Sequence, residues 1–299
     1  MAAIVAKPFR LALIQLGNVT ANKTANLAHA REMILRAATE SPKKPDLVVL
    51  PECFNSPYGH VHFPQYAEEI NYTPGKRYDT ATTGAESIKM LAAVAKEAGV
   101  WLIGGSIPER DPATQKLYNT ATVYDPEGTL VAQHRKVHLF DIDIPGKITF
   151  QESKTLSAGT SVTTFETPFG KIGLAICYDV RFPELAMLAG RQGCVAMIYP
   201  GAFNLTTGPL HWELLQRARA VDNQIFVAMC SPARDMNAEY HAWGHSTVVD
   251  PMGHVFATTE HDEAIVYADI DPEILRSARA GIPVTVHRRF DVYTDVKEV

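Results

Sequence analysis

An α/β fold with mixed sheets covered by helices is what this chain predicts, and three observations predict it. Apolar runs of strand length alternate with amphipathic, Ala-rich stretches of helical spacing in both halves of the sequence. Between those halves the helices give way to hairpin signals, so antiparallel pairing is expected beside parallel pairing. No Pro/Gly/Ser-rich linker divides the 299 residues, and 46% hydrophobic composition suffices for one sizeable core. A single domain over 8–293, with short tails at 1–7 and 294–299, is the organisation expected.

Each element has a local reason. The run from Phe9 through Leu11, Leu13 and Ile14 to Leu16 reads as a strand. Over 25–40, Leu27, Ala30, Ile34 and Ala38 recur at helical spacing, and Ser41-Pro42 stops the helix. Leu47-Val48-Val49-Leu50 is an apolar strand that runs abruptly into Pro51-Glu52. A long polar and aromatic loop then leads to a helix over about 84–98 and a strand over 101–106. Segments 118–124 and 129–136 flank the turn Asp125-Pro126-Glu127-Gly128 as a hairpin. A second pair joins 161–167 to the strand ending at Ile176 through Pro168-Phe169-Gly170. Pro183 sits near the first turn of an Ala/Leu/Met-rich helix. A strand over 195–200, a long helix over about 209–223 and a strand over 226–230 follow. A last hairpin over 245–269 turns at Asp250-Pro251-Met252-Gly253.

Composition excludes several function classes. A net charge of -5 argues against nucleic-acid binding, and no stretch nears the roughly 18 uninterrupted apolar residues of a membrane span. Residues 1–7 are too short for a secretory signal and too poor in Arg and Ser for a transit peptide. Cys53, Cys177, Cys194 and Cys230 form no C-x-x-C pair, so a reducing, cytoplasmic setting is expected. Among the histidines, His60/His62 and His134/His138 are the nearest candidates for a metal site, yet no Cys or acidic cluster completes one. Nucleotide-binding glycine motifs are absent, and Gly244-His245-Ser246-Thr247-Val248 lacks the last glycine of a serine elbow. Neither metal nor cofactor is expected.

Three strand ends carry chemistry. Cys177 follows the buried run ending at Ile176, where free N–H groups and a helix dipole are expected to favour thiolate. Taken alone, it reads equally well as a buried structural cysteine. Glu52 ends one strand, and Lys136 stands at the end of another, in His134-Arg135-Lys136-Val137-His138. A thiol nucleophile, a carboxylate to take and return its proton, and a cation for the oxyanion make a site for acyl transfer. Arg181 lies four residues beyond Cys177, close enough for its guanidinium to grip a carboxylate at the site mouth; alternatively it pairs with Asp179 or Glu184.

These motifs, Leu50-Pro51-Glu52, His134-Arg135-Lys136 and Cys177-Tyr178-Asp179-Val180-Arg181-Phe182-Pro183-Glu184, resemble those of the nitrilase superfamily of carbon–nitrogen hydrolases, in the family's order. Further segments resemble its omega-amidase branch: Cys53-Phe54-Asn55-Ser56-Pro57-Tyr58-Gly59, Phe140-Asp141-Ile142-Asp143, Ile148-Thr149-Phe150-Gln151-Glu152-Ser153, and the stretch 199–209. The stretch 71–83 is longer than that branch usually carries. The resemblance implies a four-layer α-β-β-α sandwich that pairs as a homodimer. It implies Cys177 as nucleophile, Glu52 as general base and acid, Lys136 as oxyanion cation and Glu152 as a second glutamate beside the site. Read from the residues alone, Glu152 is a solvated loop carboxylate. The Tyr178 N–H is implied as a second oxyanion donor. Tyr58, Arg181, Phe203 and Thr207 are implied as the pocket for the far carboxylate of a small-molecule amide, with alpha-ketoglutaramate and alpha-ketosuccinamate as substrates. Deaminated-glutathione amidase, carbamoylase and nitrilase activities share the same catalytic residues, and a non-catalytic scaffold of this fold is the alternative of another class.

Overall fold

The structure, a computed structural model, describes residues 6–146 and 148–293. The first half contains β1 (Phe9–Gln15), α1 (Lys23–Thr39), β2 (Leu47–Val49), α2 (Phe63–Tyr66), α3 (Glu86–Ala98), β3 (Trp101–Arg110), β4 (Leu117–Tyr124) and β5 (Leu130–Arg135). A small hairpin of β6 (Asp141–Ile144) and β7 (Ile148–Gln151) follows. The second half contains β8 (Thr163–Thr167), β9 (Gly170–Leu174), α4 (Pro183–Arg191), β10 (Ala196–Pro200), α5 (Gly208–Asn223), β11 (Phe226–Cys230), β12 (Thr247–Val249) and β13 (Val255–Thr258). β14 (Ala264–Ile270), α6 (Pro272–Gly281) and α7 (Val284–His287) complete it.

Two six-stranded sheets result, in the orders β14-β1-β2-β3-β4-β5 and β13-β12-β11-β10-β9-β8. Both are mixed: β1–β2–β3 and β9–β10–β11 pair in parallel, and the flanking strands pair antiparallel. Strand periodicity builds the layers. In β1, Phe9, Leu11 and Leu13 face the core shared with Ile172, Leu174 and Met197 of the second sheet. Ala12 and Ile14 face the other way, onto Ala30, Met33 and Ile34 of α1 and Leu91 of α3. A strand buried on both faces is mostly apolar, and each fully buried Leu or Ile contributes about 1.5–3 kcal/mol; the buried Gln15 at its end is satisfied by the Glu260 and Asp262 carbonyls. The two sheets touch directly: the Cys230 thiol donates to the carbonyls of Ile14 (3.2 Å) and Val49 (3.4 Å). On the far side of the second sheet, α4 and α5 pack Leu185, Ala189, Trp212 and Ala220 into the core. The architecture is a four-layer α-β-β-α sandwich.

Boundaries follow local chemistry. The Asn22 side chain accepts from Ala25 N (3.1 Å) and starts α1, and Gly99, at φ 58°, closes α3. One expectation is corrected: 245–269 is not one hairpin. β12 and β13 pair within the second sheet, whereas β14 crosses over and pairs with β1 in the first. Among the described residues no helix is long and apolar enough to cross a membrane.

Candidate active site

The ends of β2, β5 and β9 deliver three of the expected residues to one buried point, and the loop after β7 adds the fourth. Glu52 follows β2 on a bend that Gly105 makes room for: at φ 60°, a Cβ there would lie 2.1 Å from the Pro51 carbonyl oxygen. Lys136 follows β5 directly and is 1% exposed. Its Nζ donates to Glu52 Oε1 and to Glu152 Oε1, both at 2.9 Å. Glu152 opens a 3-10 turn, is wholly buried, and accepts the Phe140 N–H at 2.8 Å through Oε2. Its alternative as a solvated loop carboxylate is thereby corrected.

Cys177 opens a 3-10 turn, Cys177–Arg181, with its own backbone in the left-handed region at φ 46°. For a residue with a Cβ this conformation costs of order 1–3 kcal/mol, so the surroundings must hold it. Glu52 lies against the sulfur, and the Ala202 N–H donates to Sγ at 3.4 Å. Gly201 permits that approach, since a Cβ on it would stand 3.1 Å from Cys177 Cα.

The electrostatics correct the expectation of a resting thiolate. The α-helix α4 begins only at Pro183, so the sulfur lies at the start of a 3-10 turn and not at the end of a helix dipole. Burial pushes the Cys177 thiol well above its usual range, the Glu52 charge pushes it further, and Lys136 and the Ala202 N–H only partly offset this. Burial also raises Glu152, against the pull of Lys136. Burial opposes the charge on Lys136, yet Glu152 and Glu52 outweigh it and hold the ammonium protonated well above its usual value. With both carboxylates ionised, one ammonium between them leaves the cluster a single negative charge. Ionising the thiol outright would add a second to a dry site. Moving its proton onto Glu52 leaves the total unchanged.

Several contacts lay beyond the sequence reading. Asn119 Nδ2 donates to Glu52 Oε1 at 2.8 Å, and the Tyr240 hydroxyl donates to the Ala202 carbonyl at 2.5 Å. An Asn inside the buried strand β4 was a usable signal, because a wholly buried amide requires a partner. Tyr240 sits in an irregular loop and offered none. A cleft of about 670 Å³ lined by Glu52, Tyr58, Tyr240, Asp235, Glu239 and Glu263 adjoins these residues.

The expected carboxylate pocket assembles only in part. Arg181 Cζ lies 4.9 Å from the Phe203 ring centroid and 5.6 Å from that of Tyr178, and Nη1 donates to His211 Nδ1 at 3.2 Å. It pairs with neither Asp179, which His134 and His138 engage, nor Glu184. Thr207 directs its hydroxyl to Asn204 Oδ1 (3.1 Å) and Tyr58 to Glu52 Oε2 (3.3 Å), so both hydroxyls are engaged away from Arg181.

Comparison with known proteins agrees with this geometry. The carbon–nitrogen hydrolase family model matches residues 10–280. The chain belongs to the carbon–nitrogen hydrolase family. It is 57% identical to the omega-amidase NIT2 of Homo sapiens, over 95% of this chain and 96% of that protein. It is 51% identical to the omega-amidase NIT3 of Saccharomyces cerevisiae, over 98% of this chain and 97% of that one. The crystal structure of Saccharomyces cerevisiae Nit3, a member of branch 10 of the nitrilase superfamily, superposes with a TM-score of 0.87 at 48% identity, covering 97% of this chain and 99% of its own. The α-β-β-α sandwich is therefore that of this superfamily.

Proposed function

We propose that this hydrolase is an omega-amidase that cleaves the primary amide of a short dicarboxylic acid monoamide, such as alpha-ketoglutaramate or alpha-ketosuccinamate, to the dicarboxylate and ammonia. Near-full-length identity to omega-amidases supports the reaction. The observation that carries the substrate class is Arg181. It is a partly buried guanidinium on the nucleophile turn, resting on aromatic faces, that forms no ion pair among the described residues. A cation so placed suits a carboxylate brought by the substrate.

In this mechanism Glu52 takes the Cys177 proton as Sγ bonds to the amide carbon, so the buried cluster keeps its charge throughout. Lys136 and the Tyr178 N–H hold the oxygen that becomes negative. The carbonyl re-forms, the C–N bond breaks, and Glu52 returns its proton to nitrogen, releasing ammonia and leaving a thioester. Water then loses a proton to Glu52 as its oxygen bonds to the acyl carbon. The C–S bond breaks, and Glu52 reprotonates the sulfur. Glu152 holds Lys136 on the site through its own bond to Nζ. Nucleophile, base and cation are all side chains, so the reaction draws on no cofactor or metal.

The protein is further proposed to act in the cytoplasm as a homodimer. α5 exposes Leu210 (62%), Leu214 (61%) and Val221 (47%), an apolar face suited to a second copy. A panel of monoamides, N-carbamoyl compounds and nitriles assayed for ammonia release tests the function. Turnover confined to amides with a distal carboxylate is expected, and preference for carbamoyl compounds or nitriles contradicts it.

A further inference from the structure

We propose that Asp179 is a positioning residue for catalysis: one buried carboxylate ties the turn bearing Cys177 to the strand end bearing Lys136, and so sets where the sulfur stands relative to the ammonium. This rests on the amidase reading and goes beyond it, because Asp179 lies outside the set of side chains that contact Lys136.

The bonds reach both catalytic segments, two to the Cys177 turn and three to the Lys136 strand end. Oδ2 accepts the Ile176 N–H at 3.0 Å, and the Asp179 N–H returns a bond to the Ile176 carbonyl at 3.0 Å, closing the turn around Cys177. Toward the lysine, Oδ1 accepts the His138 N–H (2.9 Å) and His138 Nδ1 (2.8 Å), and Oδ2 meets His134 Nε2 at 3.2 Å. His134 and His138 bracket Lys136 two residues to either side. Each is fixed again on its outer side. His134 Nδ1 meets Thr163 Oγ1 at 3.0 Å, and the His138 ring stacks on Phe182 at 3.6 Å between centroids.

Asp179 is wholly buried, and its ionised form accepts all of these donors with acceptor-only chemistry that an amide cannot reproduce. The bond from the Ile176 N–H also adds to the backbone turn bond in holding the strained φ of Cys177. A shift of one ångström between nucleophile and cation costs rate without touching the site that binds the substrate's carboxylate.

The test compares Asp179→Asn, His138→Ala and the double variant, using succinamate as substrate. Three quantities are measured: kcat per alkylatable Cys177, KM, and the rate at which neutral iodoacetamide alkylates Cys177. Asp179→Asn is expected to lower kcat roughly 100-fold with little change in KM, and His138→Ala roughly tenfold. The double variant is expected to lose no more than Asp179→Asn alone, because both act through one clamp. Unchanged kcat per alkylatable Cys177 in both single variants, with only the melting temperature lowered, overturns the proposal, as do additive losses in the double variant. Should Asp179→Asn fail to fold, His138→Ala decides alone, since its ring is an outer, partly exposed member of the clamp. A wild type that alkylates normally but hydrolyses no amide refutes the amidase reading instead, and the alkylation rates of the variants still report on the clamp.

Discussion

Replacing Arg181 with Ala separates binding of the substrate's charge from the chemistry at its amide. The guanidinium is partly buried, and burial lowers its pKa from the usual arginine value, so it is imperfectly solvated before any substrate arrives. An ion pair formed there is worth more than the ~0–1 kcal/mol of a surface pair. It is worth less than the ~3–5 kcal/mol lost on breaking a fully buried one. About 2–3 kcal/mol lies between these limits, and at ~1.4 kcal/mol per decade it corresponds to a loss of roughly 30- to 150-fold in kcat/KM. Because the contact is equally available in ground and transition states, the loss is expected in KM with kcat nearly unchanged. The assay compares succinamate with butyramide, an uncharged amide of the same chain length, in wild type and variant. Butyramide turnover is expected to change less than about threefold, within the range of an uncoupled surface substitution. Arg181→Lys keeps the charge but not the planar fork, and an intermediate loss is expected. Equal losses on both amides refute the assignment, because a lost cation cannot penalise a neutral chain.

Three other outcomes are expected. Cys177→Ala abolishes ammonia release while circular dichroism and the melting temperature stay close to wild type, since the smaller side chain keeps the same left-handed turn; substantial residual turnover contradicts the nucleophile assignment. Lys136→Met leaves Glu52 and Glu152 buried without their shared cation and is expected to cost about 3–5 kcal/mol in urea denaturation, as for other broken buried pairs. Acid titration reports on Asp179: burial would raise its pKa, but the bonds from His138 and His134 and the Ile176 N–H win and hold it below the usual 3.8. A depressed carboxyl stabilises the fold above its unfolded value and loses that contribution as pH falls through the folded one. Stability is thus expected to drop below about pH 4, with a smaller slope in Asp179→Asn.

The parts of this molecule that follow from nearest neighbours in sequence were legible beforehand. β1, β2 and β9 are apolar runs with nowhere to go but the interior, and a Cys or a Glu at the end of such a run stands out. Lys136 was legible for another reason, as part of a cluster of cations at the end of the β4–β5 hairpin. What was not legible depends on which sheet a strand joins and what a loop folds against. β14 follows β13 closely in sequence, yet pairs with β1 across the molecule, and spacing carries no trace of that choice. Glu152 lies on an irregular segment whose composition looks solvated; only the fold shows that Lys136 and the Phe140 N–H make its burial tolerable. Likewise the thiolate expected from a strand-to-helix junction gives way to a buried thiol, because a 3-10 turn intervenes and a carboxylate lies against the sulfur. The orientation of Tyr58 and Thr207 away from Arg181 was not legible either: Glu52 and Asn204 lie near them in sequence, but only the folded loops bring the side chains together.

In the proposed mechanism a proton passes from Cys177 to Glu52 and an acyl group is carried on the sulfur. Rapid acid quench during turnover of alpha-ketoglutaramate, followed by intact-mass measurement and peptide mapping, tests it most directly. A protein population heavier by the substrate less ammonia is expected, with the added mass confined to Cys177 and lost in Cys177→Ala. Turnover with no such adduct under quench, or an adduct on Cys53 instead, contradicts it.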